Sequence, residues 1–85
     1  MIKERRDRGL RYPRVEISHS HPSGFDIHVE DTGTEYDGRR TWALGGHTAL
    51  LYARRIAEDM GRILAGSGII LPIVRHNENG TYSHL

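Results

Sequence analysis

The sequence predicts a small α+β domain, a two-layer sandwich in which one helix covers one face of a mostly antiparallel sheet. Three observations predict it. The chain has only 85 residues, which gives room for one core; its first half alternates apolar and polar residues, and its second half holds one long helical period. The expected order is strand, strand, strand, helix, strand, and the sequence leaves open a further short strand at the end.

A hairpin opens the domain. Apolar and polar residues alternate over residues 15–19 and again over residues 25–29. Between them, Pro22 suits the first corner of a turn, and Gly24 suits the left-handed residue that closes a three-residue loop. This loop predicts that Ile17 lies opposite Val29 on the partner strand.

The third strand and the helix follow a polar loop. Residues 39–44 have the pattern of a strand whose Trp42 and Leu44 point to the core. Gly45 and Gly46 interrupt it, and a helical period then runs from His47 or Thr48 to about Ala65. The apolar stripe of this predicted helix comprises Ala49, Tyr52, Ala53, Ile56, Ala57, Met60, Ile63 and Leu64.

The last part of the chain carries more apolar residues than one helix can cover. Residues 69–74 are a nearly unbroken apolar run, which predicts a fourth strand that is apolar on both faces. Pro72 cannot donate a ladder hydrogen bond and therefore favours an edge or a bulge. Asn79 and Gly80 form a strong hairpin signal, by which residues 81–84 would fold back as a short terminal strand.

Charge divides the chain into two parts. The net charge is only +1, but residues 1–14 contain six basic and two acidic residues, whereas the remainder is mildly acidic. We therefore expect a flexible cationic arm over residues 1–11 and a single domain over residues 12–85. The absence of Cys excludes thiol chemistry and disulfides, and no apolar run suits a secretory signal or a membrane span. These features predict a soluble, cytoplasmic protein.

Candidate metal and catalytic residues are present but do not converge. His19 and His21 would point to the same side of the first strand, whereas His28 would point to the opposite face of the sheet. A Ser/His/Asp set can be drawn from Ser18, His28 and Asp26, but a flat sheet face offers no substrate cavity. We therefore expect no cofactor, no metal site and no enzymatic activity.

The predicted function is instead protein interaction. Leu51 interrupts the polar side of the helix, and the fourth strand adds Ile70, Pro72 and Val74 as apolar positions without cover. These four residues predict a non-enzymatic interaction module that forms a homodimer or binds another protein through a sheet edge.

The alternative is weak, non-specific binding of nucleic acid by the arm. Its candidate residues are Lys3, Arg5, Arg6, Arg8 and Arg11. Glu16, Asp26 and Glu30 on the outer sheet face would oppose binding by the sheet itself.

Two stretches carry a resemblance to known proteins. RRTWALGGHTALLYARRIAEDMG and the closing IVRHNENG resemble small uncharacterised bacterial proteins built from a short sheet, one helix and a final strand. The small size, the preference for Arg over Lys and the absence of Cys are similar to accessory proteins of actinobacterial phages. The resemblance implies a viral protein that binds a component of its bacterial host in the cytoplasm, and it assigns no functional residues.

Overall fold

The computed structural model describes residues 10–20, 24–66 and 68–85, which form a five-stranded sheet with one helix packed on one face. The elements are β1 (Arg14–His19), β2 (Phe25–Glu30), β3 (Arg40–Ala43), α1 (Gly46–Ala65), β4 (Ile73–His76) and β5 (Tyr82–His84). The spatial order is β3-β2-β1-β4-β5, in which β1 and β4 are parallel and all other neighbours are antiparallel. The predicted α+β class is confirmed, and so is the optional terminal strand.

The core lies between α1 and the sheet. The sheet contributes β-branched residues, namely Val15, Ile17, Ile27, Val29 and Ile73. The helix contributes mainly small residues, namely Ala49, Ala53, Ala57 and Met60. Alanines on successive turns allow the helix backbone to approach the sheet closely, so the buried stripe is narrower than predicted, and Tyr52, Ile63 and Leu64 at its borders are exposed.

The register of the first hairpin differs from the prediction. Ile17 lies opposite Ile27, not Val29, because Gly24 pairs with Ser20 at the end of the ladder, where the Ser20 N–H donates to the Gly24 carbonyl over 3.0 Å. A shift of two residues leaves every side chain on its predicted face. The predicted turn residues 21–23 lie outside the described residues.

The third strand presents its side chains the other way from the prediction. Ala43 lies opposite Phe25 and is buried, whereas Trp42 lies opposite Asp26 on the sheet face that turns away from α1, called the open face below. Because side chains alternate along a strand, the pairing of Thr41 with Ile27 on the helix side places Trp42 on the open face. Trp42 is 49% exposed and Leu44 is 67% exposed, so neither is a core residue.

The apolar run at residues 69–74 is mostly not a strand, because β4 begins only at Ile73. Residues 69–71 instead pack against α1, where the Leu71 N–H donates to the Ala57 carbonyl over 3.3 Å. Gly61 makes this approach possible, since a Cβ at Gly61 would lie 1.7 Å from the Ile69 carbonyl oxygen.

This placement also accounts for the apparent surplus of apolar residues. Leu71 and Ile73 join the core under α1, Val74 is fully buried on the open face, and Ile69 and Ile70 are exposed ahead of the strand. The predicted strand with two uncovered faces therefore does not form.

Candidate functional site

The exposed large apolar residues of the described chain lie in two main groups. The first surrounds β3 and the start of α1, and the second lies at the end of α1 and in the segment that follows it. The first group comprises Trp42, Leu44, Leu51 and Tyr52, and the second comprises Ile63, Leu64, Ile69 and Ile70. Leu85 is exposed at the chain end beside β5. The first group borders both a sheet edge and a groove.

β3 is one of the two edge strands of the sheet. Arg40, Thr41 and Trp42 are all exposed there, and among the described residues no strand pairs with the outer side of β3. An uncovered edge offers unpaired backbone N–H and C=O groups to another chain. The outer side of β3 can therefore form backbone hydrogen bonds with a further strand.

A groove of about 750 Å³ runs between this edge and the helix. It is lined by Thr41 of β3 and by Leu51, Tyr52, Arg54, Arg55, Ile56 and Glu58 of α1, and this set is called the β3 groove below. A second hollow of about 300 Å³ shares Thr41 and Ile56 with it and continues along the helix to Ile63. At that end the Arg39 guanidinium lies over the Tyr36 ring, 5.1 Å from its centroid. A strand added to β3 would have an apolar surface beside it on the helix side.

The four sequence-predicted interface residues do not form one surface. Leu51 lines the β3 groove. Ile70, which is 61% exposed, and Pro72 lie in the segment that leads from α1 into β4, on the opposite flank of the sheet from β3. Val74 is fully buried between its neighbours on the open face, so it is corrected from an interface residue to an interior one.

Thr41 and Ile56 were not predicted to take part in a site. Their position depends on β3 being an edge strand, which the sequence pattern of a single strand does not show. The signal that could have indicated it is the run of three consecutive strands joined by short loops, since such a meander leaves its third strand outermost unless a later strand pairs with it.

The open face carries a buried network of charged groups. The Arg14 Nε donates to the Glu16 carboxylate over 2.5 Å, and both side chains are less than a tenth exposed. The His28 Nε2 lies 3.4 Å from carboxylate oxygens of both Glu16 and Glu30. Burial by itself raises the pKa of Glu16. Hydrogen bonds from His28 and Arg14 lower the pKa by more than burial raises it, so the pKa of Glu16 lies below its ordinary value.

The same network holds the start of the domain against the open face. A terminal nitrogen of Arg14 donates to the carbonyls of Leu10 and Tyr12, over 3.4 and 3.1 Å. The Arg14 guanidinium also lies 5.9 Å from the centre of the Tyr12 ring. The chain therefore enters β1 from the open face. Of the predicted nucleic-acid residues, Arg11 is described and exposed, and Lys3, Arg5, Arg6 and Arg8 lie outside the described residues.

Trp42 occupies the other end of the open face. Its indole covers Gly24, where a Cβ would lie 2.4 Å from the ring carbon Cζ2. Gly24 has a φ of +122°, a conformation that favours glycine. The indole therefore packs against the backbone at Gly24, and Trp42 remains half exposed.

Within the described residues, no group of three or more His, Cys, Asp or Glu side chains could hold a metal ion. His19 stacks on Phe25 with ring centroids 4.7 Å apart, and its Nδ1 lies 3.5 Å from the Glu78 carboxylate. His21, the second predicted ligand, lies outside the described residues. In the part of the chain that the structure describes, no helix is both long and apolar enough to cross a membrane.

Comparison of the chain with protein-family models, with curated proteins and with solved structures finds no match.

Proposed function

We propose that this chain is a non-enzymatic interaction module that associates with a second copy of itself by pairing at the edge of β3. The observation that carries the proposal is the exposed edge strand bordered by the apolar β3 groove. A binding partner that adds a strand to the sheet would form hydrogen bonds with the unpaired backbone groups of β3 and would also cover the groove.

The residues of β3 suit antiparallel pairing with themselves. Two copies can meet about a two-fold axis that passes through Thr41 and lies perpendicular to the sheet. Each residue of β3 then lies opposite a residue of the second copy that is on the same face of the sheet. Thr41 then lies opposite the same residue of the second copy, on the helix side. Arg40 lies opposite Trp42 of the second copy on the open face, where a guanidinium can stack on an indole.

This arrangement also brings the two grooves together. The perpendicular axis keeps both copies of α1 on the same side of the joined sheet, so Leu51 and Tyr52 of each copy face the same space. Arg54, Arg55 and Glu58 supply both signs of charge to the groove, so pairs of opposite charge can form across the axis.

The wider hypothesis of docking on a host protein uses the same edge. A host segment in extended conformation would add to β3 in place of the second copy. The proposed phage origin belongs to this version, because a protein of that kind would act on a component of its host.

Light scattering coupled to size-exclusion chromatography tests the proposal at micromolar to millimolar chain concentrations. We expect a dimer for the wild type, and we expect Leu51→Glu to weaken association by at least about tenfold, because it places a charge in the joined groove. Thr41→Pro removes a ladder donor from the same edge and should do the same.

Ile70→Glu is the matched control, because Ile70 is at least as exposed as Leu51 but lies away from β3. It should leave the dimer intact. A wild-type chain that remains monomeric over the whole concentration range refutes self-association. A dimer that Leu51→Glu and Thr41→Pro leave intact but Ile70→Glu disrupts moves the interface to the other flank.

A further inference from the structure

Positive charge surrounds the uncovered edge of β3 on its helix side. Arg54 and Arg55 of α1 line the β3 groove, and Arg39 lines the hollow that continues it. All three residues are exposed, and none of them forms an ion pair with a carboxylate of the described residues. Glu58 adds one negative charge to the groove, so positive charge is in excess there.

Two other acidic residues near this edge are each paired with a basic residue. The Arg40 guanidinium lies 3.6 Å from the Asp26 carboxylate on the open face, and Arg62 donates a hydrogen bond to Asp59 along the helix. Each of these pairs is neutral as a whole, so neither offsets the excess of positive charge. A partner that carries negative charge is therefore electrostatically complementary to the edge.

A second copy of β3 brings no negative charge to this edge. The strand has the sequence RTWA, and in the proposed two-fold pairing Ala43 of the other copy lies opposite Arg39. Pairing of two β3 strands therefore forms backbone hydrogen bonds but places no carboxylate of β3 opposite Arg39. An extended segment that carries carboxylates would form the same hydrogen bonds and would also neutralise this positive charge.

The side chains along β3 define the segment that fits best. Residues that lie opposite each other in an antiparallel pair are on the same face of the sheet. The residues opposite Trp42 and Thr41 would contact the indole and the apolar groove, so both should be apolar. The residues opposite Arg40 and Arg39 should be acidic, because opposite charges across a strand pair attract. Since the added strand is antiparallel, its pattern is two apolar residues followed by two acidic ones.

We propose that the edge of β3 binds an acidic segment of another protein in extended conformation, in which two apolar residues precede two acidic ones. The proposal rests on the proposed function, since it uses the same edge, and it adds the chemistry of the partner. Backbone hydrogen bonds to β3 supply affinity, and the apolar and acidic side chains supply specificity. Because the segment and a second copy need the same backbone groups, binding of one excludes binding of the other.

A synthetic octapeptide, Thr-Thr-Val-Val-Glu-Glu-Thr-Thr, tests the proposal. Anisotropy of the fluorescein-labelled peptide gives the dissociation constant. Trp42 is the only Trp of the chain and lies on β3, so a shift of its emission to shorter wavelength with unlabelled peptide reports contact at this edge. We expect binding with this shift, and about tenfold weaker binding of Thr-Thr-Val-Val-Lys-Lys-Thr-Thr, called the lysine peptide below.

Charge-reversing variants test the contribution of the arginines. Arg39→Glu and Arg55→Glu should each weaken binding of the acidic peptide by about tenfold, because each replaces an attraction with a repulsion. Both variants should also bind the lysine peptide more tightly than the wild type does, which a loss of folding cannot produce.

Arg75→Glu is the matched control, because it makes the same change in net charge at an exposed position of β4. β4 lies three strands away from β3, or about 14 Å, which exceeds the Debye length of about 8 Å at physiological salt. This variant should bind the acidic peptide as the wild type does.

Replacing both Val residues of the acidic peptide with Pro tests the backbone pairing. Neighbouring N–H groups of a strand point to opposite sides, so one of the two prolines removes a donor that faces β3. The charges and most of the apolar surface are retained. We expect no measurable binding of this proline peptide.

Light scattering on mixtures of chain and acidic peptide separates this proposal from self-association. The bound peptide should convert a dimer to a monomer. A chain that is monomeric by itself and binds the peptide refutes self-association alone. A dimeric chain that binds no acidic peptide at millimolar concentration refutes the acidic-segment proposal alone.

The remaining contrary results also overturn the acidic-segment proposal. One is binding of the lysine peptide or the proline peptide as tightly as the acidic peptide. Another is an Arg75→Glu variant that loses as much affinity as Arg39→Glu and Arg55→Glu, or retention of full affinity by the last two. A third is binding of the peptide to an intact dimer, which would place the contact away from the edge of β3.

Discussion

Adding a methyl group at Gly61 should destabilise the domain, although the same change usually stabilises a helix. Alanine is favoured over glycine inside a helix by about 1 kcal/mol. At Gly61, however, the new Cβ would lie 1.7 Å from the carbonyl oxygen of Ile69 and 2.6 Å from its carbonyl carbon. These are backbone atoms, so the clash cannot be relieved by rotating a side chain.

The size of the effect follows from what the displaced segment holds in place. Residues 69–71 must move away by more than an ångström, which separates the Leu71 N–H from the Ala57 carbonyl. A lost hydrogen bond of this kind costs about 1 kcal/mol. Leu71 is 6% exposed, and partial loss of its packing costs about 2–4 kcal/mol. After the gain in helix propensity, Gly61→Ala should lower the free energy of unfolding by about 2–4 kcal/mol.

Urea unfolding followed by circular dichroism measures this change. Gly46→Ala is the matched control in the same helix, because a Cβ there would lie 3.6 Å from the Phe25 ring, at ordinary contact distance. That variant should be neutral or slightly stabilised. If Gly61→Ala proves as stable as the wild type, the close approach of residues 69–71 to α1 is refuted.

Two further predictions concern the open face. Glu16→Gln should make the free energy of unfolding depend less on pH in the acid range. Because folding lowers the pKa of Glu16, the carboxylate contributes stability above its unfolded-state pKa, and this contribution is lost as the pH falls through the folded-state pKa. Urea unfolding from neutral pH to about pH 3 checks it, and equal pH dependence in variant and wild type would contradict it. Gly24→Ala should displace the Trp42 indole, shift its emission to longer wavelength and cost about 1–2 kcal/mol; an unchanged spectrum with unchanged stability would contradict it.

The fold class could be predicted from periodicity because each element has one dominant hydrophobic pattern. Alternation indicated β1 and β2, and the stripe through Ala53 and Ala57 indicated α1. The hairpin register could not be predicted as securely. Two registers that differ by two residues place the same side chains on the same faces, and the observed one is accompanied by the hydrogen bond from the Ser20 N–H to the Gly24 carbonyl at the end of the ladder.

The candidate site was harder to predict because it depends on which strand lies at the edge. Leu51 was identified from its position outside the apolar stripe, and it does line the β3 groove. Val74 was expected at the surface because six apolar residues in succession resemble one strand. In the structure, contact with Gly61 draws the first of them onto the helix, so the strand starts at Ile73 and Val74 becomes interior.

Charge counting along the chain misrepresented the sheet surface for a related reason. Glu16, Asp26 and Glu30 count as three negative charges in the sequence, and on that count the open face should repel a polyanion. Antiparallel pairing of β1 with β2 places His28 opposite Glu16, and the Arg14 side chain reaches Glu16 along its own strand. The carboxylates are thereby engaged within the sheet, while the rings of Trp42 and Tyr82 remain at its two ends. The net charge of the domain therefore does not show how these carboxylates are paired within the open face.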